Sequence, residues 1–269
     1  MSDWAANAGD RYPIDFAANL TPNASPHTKG AWSSASTYLQ ANGVYVKLEW
    51  CQSNSVRTVL LDIGIGASGS QVVLIPNMIW TPAVGGADTG RDHQENVFFP
   101  IAIPAGEVWV RAQSSLSSHP DLWCYHRPVI GGAPFIGSVC SAYGVDVGTS
   151  LGTEVVAGAA DSQAGAWTQI TASCNRIRAI IISGNTGLTP VYSGTDIWSA
   201  FDVGVGPSGA EVKILSSLTN GVGGNIGITH PQYFGPYAVD IPAGTRISIR
   251  TYLQGTSYRS RYFAIYGIS

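Results

Sequence analysis

Side chains able to do acid–base, metal or nucleophilic chemistry are thinly spread along this sequence. The five histidines are His27, His93, His119, His126 and His230. None belongs to a His-Glu-x-x-His helix, and neither a nucleophile elbow nor a glycine-rich phosphate loop is present. His119, Asp121, Cys124 and His126 are close in sequence and imitate a metal site. On a strand, however, Cys124 and His126 share one face while His119 and Asp121 share the other, so four ligands cannot converge without a bend. Carboxylate pairs for glycoside hydrolysis come from separate strands and leave no spacing signature. With 17 acidic residues in all, and Asp62 and Asp202 accounted for below, the chain reads as a protein that is not an enzyme. It calls for no cofactor and no metal.

Two loops carry the remaining polar and aromatic groups. One runs from Ile79 through Trp80, Arg91 and Asp92 to His93; the other runs from Thr219 through Asn225 to His230, with Tyr233 just beyond. Both are long and glycine-rich, and loops on a rigid scaffold are where binding usually resides. The plain reading is two crossover loops whose histidines bond local carbonyls. The sharper one is a glycan-binding rim of Trp80, Arg91, Asp92, His93, Asn225, His230 and Tyr233. Most of the 8 Trp and 12 Tyr are expected in cores, while Trp80, Tyr192, Tyr233 and Tyr258 stand near loops, where rings can stack on sugars.

The elements that must position these loops are strands. Only 12% of the 269 residues are charged, while Gly (32) and Pro (15) are plentiful. That mixture suits short strands and tight turns, not long amphipathic helices. The sequence also repeats itself. Asp62-Ile-Gly-Ile-Gly-Ala-Ser-Gly69 returns as Asp202-Val-Gly-Val-Gly-Pro-Ser-Gly209, Ile103-Pro-Ala-Gly106 as Ile241-Pro-Ala-Gly244, and Gly30-Ala-Trp32 as Gly165-Ala-Trp167. The expected fold is all-β: two tandem antiparallel β-sandwiches of jelly-roll type. An N-terminal arm (1–26) precedes copy one (27–131); a linker with lead-in strand (132–159) precedes copy two (160–269).

Each repeated block has a physical reading. In Leu60–Gly66, Ile63 and Ile65 point one way while Asp62, Gly64 and Gly66 point the other, so the glycine side must approach a backbone or an aromatic ring. Ala67–Ser70 then turns the chain into a second strand, Gln71–Ile75. Ile-Pro-Ala-Gly reads as a turn with Gly in the left-handed region. Strands are also expected at Val44–Trp50, Leu122–His126, Ile177–Ser183, Ala200–Gly204 and Arg261–Tyr266. Arg111 and Arg250 fall at similar places on the strands after those turns, which suits structural pairing with a neighbour.

Cys51, Cys124, Cys140 and Cys174 lack the spacing of a zinc or redox motif and read as buried thiols, with two bridges formed late or outside the cell as the alternative. With net charge −3 and no Lys/Arg cluster, nucleic acid is not the expected partner. No apolar run reaches the roughly 18 residues needed to span a bilayer. The opening Met-Ser-Asp-Trp-Ala-Ala-Asn lacks the parts of a signal peptide, so synthesis in a cytoplasm is expected.

Gly30–Trp32, Asp62–Gly69 and Phe99–Gly106, with Gly165–Trp167, Asp202–Gly209 and Ile241–Gly244, together resemble virion proteins of tailed bacteriophages and gene transfer agents: head spikes, fibres and tail proteins. Tyr237 stands where copy one has Phe99. The resemblance implies a structural protein displayed on the virion surface and attachment to host surface polysaccharide. These motifs are scaffold, so no functional residue comes with them. The expected partners are other virion proteins through the N-terminal arm, further copies of the chain, and a host glycan. A stand-alone bacterial carbohydrate-binding protein is the alternative, and a glycan-cleaving enzyme a third.

Overall fold

The computed structural model describes residues 16–51, 58–80, 97–117, 121–130, 136–185, 197–222, 232–253 and 260–269, and in them the chain is all-β. The first set of strands is β1 (Phe16–Leu20), β2 (Ser33–Tyr38), β3 (Gly43–Cys51), β4 (Val59–Ile65), β5 (Val72–Trp80), β6 (Val97–Phe99), β7 (Gly106–Ser114) and β8 (Asp121–Val129). The second set opens with β9 (Cys140–Tyr143), β10 (Val145–Asp146), β11 (Leu151–Val156), β12 (Thr168–Thr171) and β13 (Ile177–Asn185). It continues with β14 (Ile197–Val205), β15 (Val212–Val222), β16 (Gln232–Ile241), β17 (Ile247–Leu253) and β18 (Ser260–Ile268).

Strand order carries the jelly-roll signature. The first set forms sheets β1-β8-β3-β6 and β2-β7-β4-β5; the second forms β10-β11-β18-β13-β16, with β9 also paired to β18, and β12-β17-β14-β15. Adding ten to each label of the first set gives the second but for the additional β9 and β10. Register recurs as well. Leu60↔Ile79, Leu61↔Met78 and Ile63↔Ile75 are matched by Ala200↔Thr219, Phe201↔Leu218 and Val203↔Leu215, irregularities included. Asp62↔Arg111 is matched by Asp202↔Arg250.

The repeated motifs explain these elements locally. After β4 the hairpin turn is closed by Ser70 N–H to the Ala67 carbonyl at 2.9 Å, and after β14 by Ala210 N–H to Pro207 at 3.1 Å. Gly69 and Gly209 take φ of +81° and +83° in these turns, where a Cβ would be strained. The two Ile-Pro-Ala-Gly turns differ. Gly244 is left-handed at φ +84°, whereas Gly106 at +156° is nearly extended and already paired with Tyr38. The cause is β2, which runs on to Tyr38 and extends the ladder at that end.

Within the N-terminal arm (1–26) expected from the sequence, part of the described chain belongs to the first set of sheets. Phe16–Leu20 is β1, paired along its length with β8, and Ala18 and Leu20 are buried. Its partner lies about a hundred residues away, beyond any local pattern. Residues 1–15 lie outside the described residues. The segment between the two copies holds three strands, of which β11 stands to β18 as β1 stands to β8.

The core decides how the two sets meet. Ile180, Ile182, Phe263 and Ile265 fill the interior of the second set, with Phe201 and Val203 opposite. Ala179, Ile181, Ala264, Tyr266 and Ile268, on the other face of the same sheet, join the core of the first set. The central strands β13 and β18 of this sheet are therefore buried on both faces. This explains the unbroken apolar run Phe263-Ala-Ile-Tyr266, since a strand covered on both sides need not alternate. Cys124, Cys140 and Cys174 are buried free thiols; the Cys51 side chain lies outside the described residues. Burial pushes the Cys140 thiol up to about 12 and raises Cys124 as well, so neither is a reactive thiolate at neutral pH.

Candidate functional site

The most conspicuous polar cluster occurs twice. Asp62 on β4 accepts the Asn77 N–H, Lys29 Nζ and Arg111 Nε, each at 2.8 Å. Asp202 on β14 accepts the Ser217 N–H at 3.0 Å, Arg250 Nη2 at 2.9 Å and the Tyr252 hydroxyl at 2.6 Å. Asn77 and Ser217 reach their carboxylates through left-handed backbone, at φ +49° and +54°. Arg111 lies 4.4 Å over the Trp32 ring and Arg250 4.6 Å over Trp167. The indoles rest on glycine: a Cβ at Gly64 would come within 2.7 Å of Trp32, and one at Gly204 within 2.8 Å of Trp167. Gly-Ala-Trp and Asp-x-Gly thus meet in space as a strut. For Asp202, burial raises the carboxyl pKa, but the hydrogen bonds from Tyr252, Ser217 and Arg250 outweigh it and hold the group below its usual range. Both carboxylates are spent within the cluster and a guanidinium lies over each indole, so the strut organises the scaffold.

The loop residues singled out in the sequence fare differently. Arg91, Asp92, His93, Asn225, His230, Tyr192 and Tyr258 lie outside the described residues. Trp80 closes β5 and is only 7% exposed, inside the core. Tyr233 on β16 is half-buried, donates its hydroxyl to the Ile79 carbonyl, and packs 6.1 Å from the Tyr266 ring. Trp80 and Tyr233 are therefore not exposed platforms for sugar rings. The second set lies across the open side of the first, which turns the end of β5 into interior.

Tyr266 secures that junction. Its hydroxyl accepts the Ile79 N–H at 2.8 Å and donates to the Asn77 carbonyl at 3.0 Å, and its ring meets Phe99 edge-on at 5.9 Å. Tyr266→Phe keeps the ring but strands both backbone groups. It is expected to cost about 1–2 kcal/mol of unfolding free energy in denaturant titration. A second tie joins His27 Nδ1 and Ser150 Oγ at 3.0 Å, with Gln113 Nε2 donating to the same oxygen at 2.9 Å. The pair resembles a nucleophile and its base, but Ser150 has no exposed surface from which to attack a substrate.

Among the described residues, the outer face of sheet β1-β8-β3-β6 is the part left open. Along β3 and β8, Val44, Val46, Cys124 and His126 point inward while Tyr45, Lys47, Tyr125 and Arg127 occupy the alternate positions. Tyr45 is 42% exposed and stacks 4.8 Å from Phe98 on β6. Lys47 Nζ sits 5.2 Å over the Tyr125 ring. By register these positions correspond to the buried Ile181, Ala264 and Tyr266 of the second set. Where one copy offers small or apolar groups for close packing, the other offers half-exposed rings and cations. Sequence reasoning missed this face although its signal was present, in the alternation Val-Tyr-Val-Lys and Cys-Tyr-His-Arg.

No family model matches the chain, and no curated protein matches it. A solved structure of PNGF-II in the C2 space group is similar over 88% of this chain and 59% of that one, at 10% identity and a TM-score of 0.35. This chain thus spans 59% of the length of that protein, and a likeness so distant carries no argument about function.

Proposed function

We propose that this protein is a non-catalytic surface component of a tailed-phage or phage-like virion, holding host surface glycan on the outer face of sheet β1-β8-β3-β6. The observation that carries the glycan reading is the exposed Tyr45 beside Phe98, flanked by Lys47, Tyr125 and Arg127. Flat rings stack on the C–H faces of sugars, and neighbouring cations donate hydrogen bonds to hydroxyl or carboxylate oxygens. The virion reading rests on the resemblance of the repeated turn-and-strand motifs, and on a composition poor in charge and rich in turns.

A single face of this kind binds weakly, around millimolar or roughly 4 kcal/mol, and becomes useful when many copies are displayed. Tyr45→Ala with Lys47→Ala should lower binding to purified host polysaccharide at least tenfold in an NMR titration, with the fold intact. Equal binding by variant and wild type would remove this face, and intact polysaccharide chains after incubation are expected because no hydrolysis is proposed. Mass spectrometry of purified particles tests the virion assignment separately. Absence of the chain there, with glycan binding retained, favours a stand-alone bacterial carbohydrate-binding protein.

A further inference from the structure

The duplication shows which surfaces a β-sandwich of this type covers. In the first set the open side between β5 and β6 is sealed by the second set, and Ile75, Met78 and Phe99 are each at most 1% exposed. Register equates Ile75 with Leu215, Met78 with Leu218 and Phe99 with Tyr237. In the second set those three are only half-buried, as are Ile214, Phe234 and Val239 beside them. β15 and β16 end their sheets, with no further strand beyond either among the described residues. The same apolar positions are thus sealed in one copy and unsealed in the other.

We propose that a second copy of this chain seals the β15–β16 side, about a two-fold axis that brings this side against itself. A head-to-tail repeat of the contact within the chain is ruled out by size and charge. It would need the outer face of the first set to look like Ala264 and Tyr266, and that face carries Tyr125 and Arg127 instead. A self-complementary patch has no such requirement, and two-fold dimers are the commonest closed assemblies. The composition fits an interface. Leu215, Leu218, Phe234 and Tyr237 form an uncharged centre, and Ser216 and Thr219 form an exposed polar rim where the sealed copy has Pro76 and Ile79. The dimer would present two copies of the outer face proposed above, but the inference stands independently of what that face binds.

Sedimentation equilibrium of the full chain at tens of micromolar should give twice the 28.3 kDa chain mass. Leu218→Lys should return it to one chain mass, with at least a hundredfold weaker self-association and an unchanged far-UV spectrum. A wild-type monomer overturns the proposal, as does a dimer that Leu218→Lys leaves intact. Should Leu218→Lys fail to fold, Thr219→Cys on the exposed rim provides the second reading. Copper-phenanthroline should link it into covalent dimers much faster than wild type, and no such gain overturns the proposal. Glycan titration of the monomeric variant is expected to be unchanged per site, which separates this result from the fate of the glycan reading.

Discussion

Lowering the pH from 7 to 4 should remove about 3 kcal/mol of unfolding free energy, and His126→Gln should abolish most of that loss. His126 is 1% exposed on the inner face of β8, and burial pulls its pKa down to about 4 from 6.5. Its Nδ1 meets the hydroxyl of Tyr38, whose own pKa is raised by burial. The two groups share one buried hydrogen bond, whose direction follows the imidazole tautomer. Protonation would put a charge among Cys124, Val46 and Tyr38. Between pH 6.5 and 4 the unfolded chain binds a proton that the folded chain refuses, so stability falls as pH falls and levels off below about 4. Each tenfold loss of proton affinity on folding is worth about 1.4 kcal/mol, which gives the stated magnitude. Urea titrations of wild type and His126→Gln across this range measure it. Parallel pH profiles would show that carboxylates, not this histidine, govern acid stability.

The sequence made the scaffold legible because its repeated residues answer local needs. A left-handed turn selects Gly69 and Gly209, and a buried carboxylate that anchors a backbone bulge selects Asp62 and Asp202. Such needs write the same letters twice. The junction was not legible, because Tyr233 and Tyr266 look like any strand tyrosines until the two sets are laid together. Trp80 suffered the same ambiguity: a ring at the end of a strand and the start of a long loop can face solvent or a neighbouring sheet. β1 escaped for a related reason, since five residues paired with a strand about a hundred positions away carry no periodic signal of their own. The outer face of the first set was missed because its inward neighbours carry the stronger pattern. Val44, Val46, Cys124 and His126 mark a core, and only comparison with the sealed copy shows that the rings and cations between them are unusual.

Gly165→Ala should be among the most damaging single substitutions in the molecule, costing about 3 kcal/mol or more, although it adds one methyl group. The Gly165 N–H donates to the Thr251 carbonyl at 2.9 Å, which holds the segment before β12 against β17. On its other side a Cβ would lie 2.0 Å from the Val156 carbonyl oxygen at the end of β11. Both neighbours are backbone, so no side chain can swing away, and relief requires moving one strand from the other. Gly30 repeats the arrangement. Its N–H donates to Ala112 at 2.8 Å, and a Cβ would lie 2.4 Å from the Thr21 carbonyl just past β1. Gly30→Ala should therefore also be costly, but less so. Gly209 provides the contrast, with nothing within 4 Å of a Cβ and only its φ of +83° to oppose one; Gly209→Ala should cost about 1 kcal/mol. Denaturant midpoints of the three variants should fall in that order. If Gly165→Ala proved no worse than Gly209→Ala, the glycine of Gly-Ala-Trp would owe its place to something other than the approach of β11.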